Sequence, residues 1–302
     1  MILNLSKFSH AALQSLARLA LPAWAMAVAL GCSPSSANFN AGSISTNTLE
    51  TGIIGGQLIP QTSSVVQSTA FVFLYNKATH DGEVCSGVLV ANDLVLTAAH
   101  CFHPQGQTPR GRTYSKFVIF GTHVDLGAPD ALKQAYVIGE DSYAIDPTFE
   151  PATFANDMAV LRLKGRLLPG LIPAKILKEI SILSNAKQPV IVAGFGLSSA
   201  QTTDAALAYR LRYLTTMPAL IKDPRAAGTL SIVTSATHTP ALGDSGGPAF
   251  TSDNGVRYVW GIDSFNLSSS TNSSYGEFYT VIARHLSWLN RAAAQLGSPA
   301  TF

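Results

Sequence analysis

The chain has 302 residues, of which 47% are hydrophobic and 13% are charged, so it can bury a sizeable core and is not of a disordered class. Its formal net charge of +2 is too small to indicate nucleic-acid binding, and it contains no run of lysines or arginines that would bind phosphate. No repeat of short period is visible in it.

An export signal is predicted at residues 1–31. Lys7 and Arg18 precede an apolar run, "LALPAWAMAVALG" at 19–31, which is long enough for a signal-peptide core and short for a membrane span. A buried helix is the alternative, but the polar sequence that follows argues against it. The run ends in "ALGC", which resembles a bacterial lipobox, so we expect Cys32 to be lipidated, with ordinary secretory cleavage nearby as the alternative.

Residues 32–52 are predicted to form a flexible tether or propeptide. They are rich in serine, threonine and asparagine, and Glu50 is their only charged residue. Such a composition buries too little apolar area to offset the loss of chain entropy.

Short strands are predicted from residue 53 onward. Each apolar run is rich in valine, isoleucine and aromatic residues and is bounded by Gly, Pro, Asn or Asp. The runs lie at 69–76, 87–99, 116–121, 134–140, 158–163, 189–196 and 257–265. No long helical pattern separates them, and only 281–296 is predicted as a helix, so we expect an all-β fold of antiparallel barrels with a C-terminal helix.

Two of the three cysteines are candidates for a disulfide. If Cys32 carries lipid, Cys85 and Cys101 remain, and an exported protein reaches an oxidising compartment in which they would pair. The alternative is two inert buried thiols.

Three motifs occur in order along the chain. His100 ends "LTAAH" at 96–100, Asp157 lies in "NDMAVLRL" at 156–163, and Ser245 lies in "GDSGGP" at 243–248. Each is weak alone, since "ND" is a common turn signal and "GDSGG" also fits the serine elbow of α/β-hydrolases. The elbow requires an acid and a histidine after the serine, and the short remaining chain without parallel-sheet signals argues against it.

Together these motifs resemble the trypsin/chymotrypsin family of serine endopeptidases, over residues 53 to about 294. The other segments that carry the resemblance are "IIGG" (53–56), "CSGVLVANDLVLTAAHC" (85–101), "VAGFG" (192–196), "WGIDSFN" (260–266) and "YTVIARHLSWL" (279–289). The resemblance implies two antiparallel six-stranded β-barrels, a disulfide between Cys85 and Cys101, a protease domain at 53–294 and a tail at 295–302.

The resemblance also implies a role for each motif. Ser245 would be the nucleophile, His100 its base, and Asp157 the group that orients the imidazole. The N–H groups of Gly243 and Ser245 would stabilise the oxyanion. Ala241 stands where the family has a cysteine, so we expect a less constrained nucleophile loop.

Activation is implied by the same resemblance. In the family a cut frees an amine, which here would belong to Ile53 and would pair with Asp244. The residue before Ile53 is Gly52, where a trypsin-like activator would not cut. Either another protease makes the cut, or Asp244 finds a different partner.

The specificity pocket departs from that of trypsin. Thr239 falls at the pocket base and carries no charge, Glu277 falls on the wall, and Asn266 stands at the mouth where glycine is usual. The substrate would pair as an extended strand against Ser264, Phe265 and Asn266. A basic residue before the cut is one expectation, from Glu277; an uncharged residue of moderate size, set by Thr239 and Asn266, is the other.

The sequence therefore predicts an exported serine endopeptidase that uses no metal or organic cofactor. Its partners would be polypeptide substrates and protein inhibitors of proteases. It is not expected to bind nucleic acid, and it would contact a membrane only through lipid on Cys32. The alternative is a catalytically silent lipoprotein of protease fold that binds or adheres.

Overall fold

The computed structural model describes residues 53–103, 110, 113–184, 188–196, 208–219, 228–235, 237–267 and 275–302. The predicted signal peptide, the lipidation site Cys32 and the tether lie outside these residues. Within the described ranges, no helix is both long and apolar enough to cross a membrane.

Strands dominate the described chain. They are β1 (Gln57–Leu58), β2 (Thr69–Asn76), β3 (Gly82–Ala91), β4 (Leu94–Thr97), β5 (Tyr114–Phe120), β6 (His123–Asp125), β7 (Tyr136–Ile138), β8 (Tyr143–Ile145), β9 (Ala159–Arg162), β10 (Lys175–Ile176), β11 (Val190–Gly194), β12 (Ala208–Arg210), β13 (Arg212–Thr216), β14 (Pro218–Ala219), β15 (Thr229–Thr234), β16 (Pro248–Asp253), β17 (Val256–Leu267) and β18 (Tyr275–Val281). The helices are α1 (Ser181–Ser184) and α2 (Leu286–Gln295), with 3₁₀ helices at Ala99–Cys101 and Ile282–His285.

The first sheet contains the strand that leads to His100. Its seven strands run in the order β7-β5-β2-β3-β4-β9-β8, and every pair is antiparallel. The predicted run at 87–99 is divided by a turn at 92–93, because Asn and Asp favour turns, so β3 and β4 form a hairpin.

The second sheet contains the nucleophile segment and the predicted substrate strand. Its strands run in the order β1-β13-β11-β16-β17-β18-β15-β14, with β10 pairing in parallel to β17. Strand β1 brings the segment that begins at Ile53 into this sheet. The buried core of the sheet includes Trp260, Tyr279 and Ile53.

The C-terminal helix returns to the first sheet. Leu289, Ala292 and Ala293 of α2 are buried in the same core as the residues of β9. Apart from β10, the described strands pair in antiparallel fashion and curl into two half-barrels followed by this one helix. The predicted all-β fold class with two antiparallel barrels is thereby confirmed.

Candidate active site

His100 and Asp157 lie at the same end of two paired strands. Thr97 at the end of β4 pairs with Ala159 at the start of β9. The segment after β4, which contains His100, therefore meets the segment before β9, which contains Asp157. His100 Nδ1 lies 2.6 Å from Asp157 Oδ2, and the backbone N–H of His100 donates to Asp157 Oδ1 at 2.8 Å. The carboxylate therefore holds both the ring and the backbone of the histidine.

Ser264 on β17 completes the surroundings of Asp157. Its hydroxyl donates to Asp157 Oδ2 at 2.6 Å, across the interface between the two sheets. Asp157 is 0% exposed, so three donated hydrogen bonds replace the water that a buried carboxylate loses. Burial by itself would lower the pKa of His100, but the charge and hydrogen bond of Asp157 outweigh it and raise that pKa.

The loop with Ser245 is packed against the strand that precedes His100. The N–H of Gly246 donates to the carbonyl of Asp263 at 2.8 Å. A Cβ on Gly246, where φ is +83°, would lie 2.2 Å from Thr97 Oγ1, so only glycine fits. The Ser245 carbonyl lies 4.0 Å from the Sγ atom of Cys101, the residue that follows His100 in the chain.

The disulfide implied by the resemblance is present. Cys85 on β3 is bonded to Cys101, the last residue of the 3₁₀ helix that contains His100. It joins residues separated by 16 positions and so ties the histidine segment to the centre of the first sheet.

Ser86 is a site residue that the sequence analysis missed. Its hydroxyl donates to the Gly243 carbonyl at 2.9 Å and accepts the N–H of Phe195 at 3.0 Å. Its backbone N–H donates to the Ser245 carbonyl at 2.8 Å. The buried Ser86 thus binds the backbone at Gly243 and at Ser245, in the loop where Ala241 stands in place of a cysteine. Its only signal in the sequence is a polar residue within an apolar strand.

Gly243 has a backbone conformation that favours glycine. Its φ is +99°, which disfavours any side chain, and a Cβ there would lie 3.0 Å from Gly196 Cα. The N–H groups of Gly243 and Ser245 are the predicted oxyanion donors.

Asp244 is buried and has no cationic partner among the described residues. Its carboxylate accepts the N–H groups of Gly196 at 2.7 Å and of Ala241 at 2.8 Å. Burial raises the pKa of Asp244 to about 8, because the two hydrogen bonds do not offset the loss of water.

Ile53 is buried close to the Asp244 loop. Ile54 exchanges two backbone hydrogen bonds with Thr239, at 3.1 and 3.2 Å, and Thr239 lies five residues before Asp244. The segment at the predicted cut is thus already docked against this loop. In the continuous chain the Ile53 nitrogen is an amide and carries no charge that could form an ion pair with Asp244.

The predicted substrate residues lie on two adjacent strands. Asn266 on β17 is opposite Glu277 on β18; the first is exposed and the second buried. Phe265 stacks on Phe278, with ring centroids 4.9 Å apart and an interplanar angle of 2°. Thr239, which the resemblance places at the pocket base, is also buried.

The aromatic side chain of Phe154 packs between His100 and the predicted substrate strand. The Phe154 ring stacks on Phe265 at 5.7 Å and meets the His100 ring edge-on at 5.4 Å. Phe154 has a φ of +59°, an uncommon conformation for a bulky residue. The sequence analysis missed it because nothing in the local pattern marks a loop phenylalanine.

The described residues contain no cluster of three His, Cys, Asp or Glu side chains arranged to hold a metal ion.

Comparison with known proteins identifies relatives over most of the chain. Residues 53–289 match the family model described as Trypsin. The chain is 29% identical to chymotrypsin-like elastase family member 1 of Canis lupus familiaris, over 70% of this chain and 81% of that protein. The Bos taurus protein of the same description is 25% identical over 80% and 90%.

Two further comparisons differ in what they cover. Complement factor I of Rattus norvegicus is 26% identical over 70% of this chain, which spans only 35% of that protein. A solved structure titled HL collagenase, 21% identical, superposes with a TM-score of 0.60 over 80% of this chain and 99% of its own. At that identity the likeness shows the fold alone.

Proposed function

The chain belongs to the trypsin family, and on that premise we propose that it is an exported serine endopeptidase. The observation that carries the proposal is the set of three hydrogen bonds on buried Asp157, two from His100 and one from Ser264. A carboxylate bonded to Nδ1 keeps the proton on that nitrogen and leaves Nε2 to accept one.

The proposed reaction gives each of the predicted residues one role. Ser245 Oγ attacks the peptide carbonyl while its proton passes to His100 Nε2, and the oxyanion accepts the N–H groups of Gly243 and Ser245. His100 then protonates the leaving amine, which leaves an acyl group on Ser245. Water attacks this ester with His100 again as base, which releases the second product and restores the serine.

The test of this proposal is the hydrolysis of an unfolded protein by the form that begins at Ile53. An endopeptidase generates fragments with new termini inside the substrate chain, which mass spectrometry identifies. Binding without internal cleavage would instead support the silent lipoprotein. Removal of terminal residues alone would exclude an endopeptidase.

Ser86 acts in this proposal as a positioning residue. We expect Ser86→Ala to lower kcat about tenfold with little change in KM, because the lost hydrogen bonds hold the Gly243 carbonyl and the Phe195 N–H. Steady-state kinetics on a peptide substrate measures the split between the two constants.

The matched control for that variant is Ser231→Ala. Ser231 is also fully buried in a strand and donates to a backbone carbonyl, that of Ala219 at 2.8 Å, away from the nucleophile loop. Equal effects on kcat in the two variants would show that Ser86 has only a structural role.

We further propose that activation and release from the membrane are one event. Lipid on Cys32 and a free amine on Ile53 cannot belong to the same continuous chain. Before the cut the protein would be anchored in the cell envelope, and Asp244 would have hydrogen bonds but no cationic partner. A cut after Gly52 creates the ammonium group that pairs with Asp244, and severs the anchor. The bacterial lipoprotein rests on the lipobox resemblance alone, since the relatives described above are animal proteins.

Fractionation of cells tests this coupling. We expect activity in the soluble fraction, on a form that begins at Ile53, and little activity on the membrane-bound form. N-terminal sequencing and kinetics on both fractions make the comparison. The variant Cys32→Ala separates release from activation, because it should be soluble without the cut and still inactive. Full activity from an uncut chain would refute the coupling and leave the endopeptidase proposal intact.

A further inference from the structure

A cleft lies between the loop that precedes β2 and the hairpin of β16 and β17. Segment 172–174 and strand β10 form its third wall. Ile172 donates its backbone N–H to the Gln67 carbonyl at 3.0 Å, and β10 pairs with β17, so the cleft is bordered by segments that belong to both sheets. Its volume is about 300 Å³, at the small end of the range for ligand sites.

The charges in this cleft are all positive. Lys175 on β10 and Arg257 on β17 are the only ionisable side chains among the described residues that line it. Neither forms an ion pair with a carboxylate in the described part of the chain. A concave surface with two cations and no acidic side chain has a positive potential, which favours an anionic ligand.

The guanidinium of Arg257 has one edge in use and one edge free. Its Nη1 donates to Ser64 Oγ at 2.6 Å. Its Nε is buried and has no hydrogen-bond partner, and no described group accepts from Nη2. Arg110 and Arg162 also have a buried Nε without a hydrogen bond, but each of them is in an ion pair. Since Nε and Nη2 are the two parallel donors of a guanidinium fork, the free edge fits a bidentate carboxylate.

The remaining wall of the cleft is largely apolar. Ile172 is 56% exposed, while Phe250 is buried and Val256 is partly buried. Covering these side chains with an apolar group removes hydrocarbon surface from water. The cleft therefore suits a ligand that has an apolar body next to its negative charge, more than it suits a fully hydrated inorganic anion.

The cleft lies at the far end of the strands that lead to the predicted catalytic groups. Ser264, which donates to Asp157, follows Arg257 by seven residues on β17. That separation is roughly 20 Å along an extended strand. The nucleophile loop precedes β16, whereas the cleft is at the hairpin that follows it. None of the predicted catalytic or substrate-binding residues lines the cleft.

We propose that this cleft is a binding site for a small organic carboxylate with a short apolar chain. The carboxylate accepts hydrogen bonds from Nε and Nη2 of Arg257, with Lys175 as the second cation. The apolar chain lies against Ile172 and Val256. Binding is non-covalent and does not depend on the proposed endopeptidase activity.

Titration calorimetry of the full chain with a matched series of probes tests both parts of the site. We expect hexanoate to bind with a Kd of about 1 mM or less. Acetate has the charge without the chain and hexanol the chain without the charge, so each should bind about tenfold or more weakly. Inorganic phosphate should also bind more weakly than hexanoate. The proposal fails if hexanoate does not bind, or if hexanol or phosphate binds as tightly.

Variants locate the bound probe. Arg257→Lys keeps the charge and removes the fork, so the Kd of hexanoate should rise about tenfold. Lys175→Gln removes an exposed charge and should raise it about two- to fivefold. Arg166→Lys makes the same change at an exposed arginine that does not line the cleft, and should leave the Kd unchanged. An unchanged Kd in both cleft variants would place the probe elsewhere and exclude the site.

The apolar half of the site has its own variant. Ile172→Ser, at an exposed position that tolerates the change, should weaken hexanoate about threefold or more and leave acetate unchanged. Hexanoate in excess of its Kd should also raise the Tm of the wild type and of Arg166→Lys by a few degrees, and that of Arg257→Lys less. Equal shifts in all three proteins would contradict the assignment to Arg257.

These measurements involve no turnover, so they separate this inference from the proposed function. A chain that cleaves peptides but binds hexanoate no better than hexanol refutes the carboxylate site alone. A chain that binds hexanoate as described but cleaves no peptide supports the site and counts against the endopeptidase.

Discussion

Replacing Ser245 with alanine is expected to lower kcat for peptide hydrolysis by about 10⁴–10⁶-fold, because the remaining catalytic groups act only as a unit. The fold should survive, since Ser245 is tied to the first sheet through its backbone carbonyl and Ser86, not through its hydroxyl. Active-site kinetics and thermal unfolding of the form that begins at Ile53 measure the two effects separately.

The control for this variant is Ser252→Ala, an exposed serine at the end of β16. It should retain wild-type kinetics. If Ser245→Ala kept more than about a tenth of the wild-type rate, the nucleophile would be another residue.

Asp244→Asn is expected to lower the activity of the form cut after Gly52 and to stabilise the uncut chain at high pH. In the cut form, asparagine cannot pair with the Ile53 amine, so a buried cation is left alone and the oxyanion loop loses its support. We expect kcat to fall by about 10²–10³-fold, the usual effect of losing an oxyanion donor.

In the uncut chain, Asp244→Asn should change how stability depends on pH. The folded pKa of Asp244 is raised from 3.8 to about 8, so between these values the folded state binds more protons than the unfolded state. The free energy of unfolding of the wild type therefore falls as pH rises through this window. The variant lacks this pH-dependent loss. Its free energy of unfolding relative to the wild type should therefore increase by a few kcal/mol as pH rises through the window, at about 1.4 kcal/mol per pKa unit as an upper limit.

Denaturant unfolding of both uncut proteins at pH 5 and pH 8 tests this change. Asp263 and Glu277 act in the same direction and are present in both proteins, but their contributions cancel only in part, because the charge of Asp244 helps to raise the pKa of Glu277. Asp130→Asn, an exposed substitution, should show no such trend. Parallel pH curves for wild type and Asp244→Asn would mean that Asp244 has a cationic partner before the cut.

Local patterns predicted the elements, and motif order predicted which segments meet. Strand β2 has the predicted bounds, Thr69–Asn76, because its apolar run ends in a turn signal. The meeting of His100 with Asp157, separated by 57 residues, was predicted only from the family resemblance, since nothing local links the two segments.

The features that sequence reasoning missed all depend on contacts between distant segments. Ser86 bonds to Gly243 across 157 positions, and no pattern near Ser86 indicates that contact. The burial of Asp263 and Glu277 on neighbouring strands also depends on distant pairing, that of β17 with β18, which shifts register after Asp263. The lipidation of Cys32 stays a prediction, since it lies outside the described residues.

Labelling with a serine-reactive phosphonyl probe tests most directly whether this chain has an activated serine nucleophile. The form that begins at Ile53 would be treated with the probe and digested, and the modified residue would be identified by mass spectrometry. We expect a single phosphonyl group on Ser245, because the proposal assigns to that hydroxyl alone the activation by His100. A folded protein that takes up no probe, or takes it up on a different residue, would contradict the assignment and leave a protease fold without turnover.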